Sequence, residues 1–140
     1  MHKYMALLYI ISLISCSNDI AWDFYDEGLT NMQIADQSYV EVGVNVESAP
    51  SNAVVDSAVI EVEIIHDDPF NLDIRLIHDD DTILVWDNNY PGGCQIYEPD
   101  LFYGKTANGY WALGICDSVN DGKEGVLKKF TLKIEFDHNF

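Results

Sequence analysis

Carboxylates crowd three short stretches of this chain, and oxygen-rich turns are the chemistry of hard cations. Asp67, Asp68 and Asp73 lie in HDDPFNLD, Asp79, Asp80 and Asp81 in HDDD, and Asp117 and Asp121 in CDSVND. Calcium takes roughly six to eight oxygen ligands in a flexible shell. Asp67, Asp68, Asp117 and Asp121 are therefore read as candidate calcium ligands, and calcium is the one cofactor expected. Each cluster taken alone also reads as an ordinary solvated turn. Zinc does not fit, because only His66, His78 and His138 remain beyond the leader, without a helical or cysteine pairing. The loop from Asp117 is no EF-hand, since Val119 and Lys128 stand where oxygen ligands are required.

Other chemistries find less support, and no catalytic residue is expected. There is no Gly-x-Ser-x-Gly elbow, and nothing places an acid pair for hydrolysis. The chain carries 24 acids against 7 bases, a net charge of −17. That field repels phosphate backbones and sets nucleic acid aside as a partner; it favours cations, basic partners and solubility.

The ends of the chain carry the addressing. Residues 1–16, MHKYMALLYIISLISC, read as a signal peptide: Lys3 and His2 form a basic start and Met5 to Ile14 an apolar run. That run is too short to span a bilayer as a helix. LISC resembles a bacterial lipoprotein box, with Cys16 the acylated residue; cleavage after Ser17 is the competing reading. Export to the cell envelope follows, lipid-anchored to the bacterial outer membrane or otherwise secreted, with the anchor the only membrane contact. Cys94 and Cys116 then remain as an even pair in an oxidising compartment, so a disulfide between them is expected.

Residues 17–37 are acidic and lack a clean period, and read as a tether that can end in an edge element. From residue 38 to 138 the chain alternates in period two. Val40, Val42, Val44 and Val46 share one face; so do Ile60, Val62 and Ile64 against Glu61 and Glu63; so do Leu72, Ile74 and Leu76. TILVW is a shorter strand. Trp111, Leu113 and Ile115 share a face, as do Phe130, Leu132, Ile134 and Phe136. Beyond the leader no stretch has convincing helical spacing. The expected fold class is all-β, a jelly-roll-like β-sandwich of mainly antiparallel strands.

Two stretches resemble the P domain, or Homo B domain, of kexin- and furin-like proprotein convertases. In SAVIEVEIIHDDPFNLDIRLIHDDDTILVW the matching residues are His66, Leu72, Leu76, Ile77 and Thr82. In LFYGKTANGYWALGICDSVNDGKEGVLKKFTLKI they are Phe102, Gly104, Ala107, Asn108, Gly109, Trp111, Leu113, Asp117, Gly125, Leu127 and Leu132. The chain departs from the pattern at Phe70 and Asn71, at HDDDT, and at Phe130, where the family has a second Trp.

The resemblance covers about residues 38 to 136. It implies a non-catalytic sandwich that packs against and stabilises a subtilisin-like protease domain. Here it would be a stand-alone exported module whose partner is another exported protein, such as a protease. The alternative is a calcium-dependent carbohydrate-binding sandwich that uses Tyr90, Tyr97, Tyr103 and Tyr110 as stacking surfaces.

Overall fold

The computed structural model describes residues 22–137. The signal peptide, Cys16 with its expected acylation, and His138 lie outside the described residues. Eight strands follow one another: β1 (Phe24–Ile34), β2 (Ser38–Val46), β3 (Val55–His66), β4 (Leu72–His78), β5 (Asp81–Asp87), β6 (Gly93–Tyr97), β7 (Gly109–Asp117) and β8 (Gly125–Phe136). A 3₁₀ turn at Pro69–Asn71 joins β3 to β4. The strands form two four-stranded sheets, ordered β1-β8-β3-β6 and β2-β7-β4-β5, and every pairing is antiparallel.

The alternation read from the sequence places the core. Ile60, Val62 and Ile64 from β3 and Leu132 and Ile134 from β8 face Leu72, Ile74 and Leu76 from β4 and Trp111, Leu113 and Ile115 from β7, all buried. Two such faces turned inward exclude water from both sheets at once, which is what stabilises a sandwich. Of the residues that carry the resemblance, Phe102, Ala107, Trp111, Leu113, Leu127 and Leu132 belong to this core.

Three expectations change. The tether gives way at Phe24 to β1, an edge strand paired with β8, so the sandwich starts earlier than residue 38. Its ladder shifts between Leu29 and Met32, where Asn31 takes a left-handed φ of 51°. That shift, with polar Asp26 and Gly28 in the strand, conceals the period. Secondly, Glu61 is buried rather than solvated. It sits between Lys129 and Lys133 of the neighbouring strand and pairs with both, at 3.8 Å to Lys129 and in closer contact with Lys133. Opposite charges one strand apart make a buried position tolerable that a lone carboxylate would not accept.

The third correction concerns the cysteines. Cys116 is a free, half-buried thiol, and the Cys94–Cys116 disulfide is not formed. Cys116 sits on the outer face of one sheet, out of phase with Trp111, Leu113 and Ile115. Cys94 lies opposite Glu63 on the outer face of the other sheet. Stacked sheets are about 10 Å apart, whereas a disulfide needs Cα atoms within roughly 7 Å. Side chains pointing away from each other across that thickness cannot meet.

Candidate functional site

The expected calcium ligands fall at one end of the sandwich, where the turn after β1 meets the β3–β4 and β7–β8 connections. His66 organises them. Its Nδ1 accepts the Asp68 backbone N–H at 2.9 Å, which leaves the ring proton on Nε2 to donate to Asp117 Oδ2 at 2.9 Å. Both side chains of this pair are 1% exposed. The second oxygen of Asp117 accepts the Val119 N–H at 3.3 Å. Asp117 is therefore turned inward and used as a clip.

Asn71 ties the next pair. Its Nδ2 donates to Asp68 Oδ2 at 3.0 Å and to Asp121 Oδ2 at 3.2 Å. Asp121 Oδ1 accepts the Lys123 N–H at 3.0 Å. Asp36, which the sequence did not single out, accepts the Asp121 and Gly122 N–H groups at 3.4 and 3.0 Å. Asp67 is exposed and contributes its backbone N–H to the Glu124 carbonyl at 3.2 Å. Gly125 closes the knot, because a Cβ there would fall 2.3 Å from the Ile65 carbonyl oxygen.

Asp68 and Asp121 are thus brought together by Asn71, and Asp117 is held apart on His66. Among the described residues no three His, Cys, Asp or Glu side chains converge as a metal shell. The four expected ligands are not drawn together around one point in this arrangement. The carboxylates of Asp68, Asp117 and Asp121 accept from backbone N–H groups, from Asn71 and from His66, and so tie the loops to one another.

The HDDD turn has the same character at the other end. Asp79 Oδ1 accepts the Tyr110 N–H at 2.9 Å, and Asp81 pairs with Lys105 at 3.3 Å on the surface. His78 is buried, stacked on Trp111 with ring centroids 3.8 Å apart, and its nitrogens face the Thr106 and Tyr110 carbonyls. Both described histidines are held in structural hydrogen bonds at strand ends. Asn108 of the ANG turn donates to the Ala49 carbonyl and accepts the Ala49 N–H, pinning the β2–β3 loop beneath Trp111.

The four tyrosines expected as a stacking surface are dispersed. Tyr90 is wholly buried and donates its hydroxyl to the Gly93 and Val62 carbonyls; burial pushes its phenol well above the ordinary tyrosine value. Tyr97 packs on the core and Tyr103 projects into solvent. Tyr110 alone reaches an open sheet face, and there it meets residues that sequence reasoning passed over.

On the outer face of the β2-β7-β4-β5 sheet, Tyr39 from β2 and Tyr110 from β7 both donate to Glu41, at 2.6 and 2.7 Å. The Tyr110 ring lies over Gly43, where a Cβ would come within 2.4 Å of it. Tyr39 covers Gly114, where a Cβ would fall 2.5 Å from the hydroxyl. Burial and the bond to Glu41 push the Tyr39 hydroxyl up to about 12. The two donated hydrogen bonds hold the Glu41 carboxyl below the ordinary range. The available signal was glycine inside a strand, which marks close approach by other atoms.

Comparison with known proteins bears on the fold. No protein-family profile matches the chain, and no curated protein matches it. Solved structures do. The serine protease of Aeromonas sobria is similar over 94% of this chain and 29% of its own, with a TM-score of 0.68 and 14% identity. The same protease in complex with the chaperone ORF2 is similar over 95% of this chain and 29% of its own, with a TM-score of 0.67 and 13% identity. FlhE is similar over 84% of this chain and 96% of its own, with a TM-score of 0.60 and 11% identity. At these identities the likeness is one of fold. The chain spans less than a third of the protease chains it matches.

Proposed function

We propose that this protein is an exported, lipid-anchored, non-catalytic binding module that docks on and stabilises another exported protein, a serine protease being the preferred partner class. The observation that carries the reading is that nearly the whole chain shares the fold of a minor part of a serine protease. The P-domain-like residues support it. They build the core and the loop clip at His66. The rigid knot of loops around His66 and Asn71 would present a fixed surface to such a partner, at little ordering cost on binding.

Affinity capture from envelope extracts, with the full chain as bait, tests the reading. An exported protease or its complex should be enriched over a bait-free control, and the purified chain should show no peptidase activity of its own. Capture at background level, or intrinsic peptidase activity in the pure chain, would remove the reading.

A further inference from the structure

We propose that the outer face of the β2-β7-β4-β5 sheet, centred on Tyr39, Glu41 and Tyr110 with Arg75 beside them, is a metal-independent binding platform for an extended, uncharged glycan. This reading is independent of the protease one, and its four named contact residues lie outside the loop knot.

Side chains on a strand ordinarily stand away from the sheet. Here two rings lie down on it, because the residues beneath them, Gly43 and Gly114, have no Cβ to hold them off. Covering a glycine accounts for one side of each ring. The other side faces outward, and Tyr39 remains 52% exposed. Both rings are anchored through one carboxylate, so their orientation is set before any ligand arrives.

The pattern of apolar and polar groups matches a pyranose. Its C–H faces stack on aromatic rings, while its hydroxyls need donors and acceptors at the ring edges. Glu41 and the phenol oxygens retain lone pairs to accept sugar hydroxyls. Arg75, exposed and paired in register with Gly114 beneath Tyr39, supplies donors.

The dimensions call for a chain of sugars. Tyr39 lies opposite Cys116 and Tyr110 opposite Asn45, so their backbones stand roughly 20 Å apart along the sheet at about 3.4 Å per residue. Open depressions continue the face at both ends. One of about 320 Å³ borders Tyr39 and Cys116, and one of about 470 Å³ borders Tyr110, Asn45 and Asp79. Glu41 at the centre and the net charge of −17 disfavour anionic saccharides.

Isothermal titration of the full chain, in excess chelator, with soluble hexasaccharides of β-linked glucose and of β-linked N-acetylglucosamine is the test. At least one should bind. Tyr39→Ala and Arg75→Ala, both at exposed positions, should each weaken it by about tenfold, the equivalent of 1.4 kcal/mol, with each variant still folded as shown by a cooperative thermal melt. Tyr110→Ala should do the same if it folds. Tyr103→Ala, at an exposed tyrosine off this face, should leave affinity unchanged. No heat with either hexasaccharide, binding that needs calcium, or equal loss in Tyr103→Ala would overturn the proposal. So would Tyr39→Ala abolishing capture of a protein partner while both glycans stay silent, which would make this a protein-docking face.

Discussion

Replacing Asp117 separates a structural clip from a metal ligand. In the folded chain this carboxylate takes the His66 Nε2–H at 2.9 Å and the Val119 N–H at 3.3 Å, with 1% of either side chain of the His66 pair exposed. Asp117→Ala removes a charge-assisted bond and leaves the buried His66 donor, and the Val119 N–H in the loop, without their acceptor. Such truncations cost about 3–5 kcal/mol. Asp117→Asn keeps an oxygen for one donor and sets its amide group against the other, at about 2 kcal/mol. Urea unfolding followed by tryptophan fluorescence reads the loss, because Trp111 sits in the core. The midpoint should fall while the slope holds. The loss should be the same in calcium and in chelator, since Asp117 is committed to His66. A loss below about 1 kcal/mol in chelator, growing when calcium is added, would refute the clip and restore the metal ligand.

Three further outcomes follow from other parts of the fold. Glu61→Gln should cost about 3 kcal/mol in urea unfolding by leaving Lys133 unpaired, whereas replacing Glu61 and Lys133 together by methionine should recover most of that; equal losses would mean the ion pair is incidental. Tyr39 should ionise near pH 12 in a tyrosinate absorbance titration. Because its hydroxyl is raised, its bond to Glu41 is intact below the ordinary phenol value and lost as pH rises through 12; because Glu41 is lowered, its share is present above the ordinary carboxylate range and lost only in acid. Titration of Tyr39 at the ordinary tyrosine value would show that the bond does not persist in solution. Cys116→Ser should change stability by less than about 0.5 kcal/mol, and a loss of about 3 kcal/mol would show that the Cys94 pairing forms after all.

The sandwich was legible wherever one face of a strand is buried and the period is unbroken. β3, β4, β7 and β8 announce themselves through Ile60, Leu72, Trp111 and Leu132, because inward residues must be apolar along a central strand. The edges did not. β6 is only five residues long, and β1 contains a register shift at Asn31. Edge strands bury less and tolerate both.

Whatever depends on two distant segments meeting was hidden. Glu61 looks solvated until Lys129 and Lys133 are known to lie beside it. Cys94 and Cys116 look like partners until the sheets assign them to opposite outer faces. The Tyr39–Glu41–Tyr110 arrangement exists only through the β2–β7 register, with Gly43 and Gly114 its one local trace. Asp68, Asp117 and Asp121 were legible as a cluster near one set of turns. Which of their oxygens were free for a cation was set by His66, Asn71 and the loop backbone, and no local pattern carries that.

Binding to and stabilising an exported protease is the role proposed for this chain. The most direct measurement is the heat-inactivation half-life of the captured protease, purified, with and without the full chain. A longer half-life that saturates at one chain per protease, with a stable complex by sedimentation, is expected. An unchanged half-life with no complex at excess chain would contradict it.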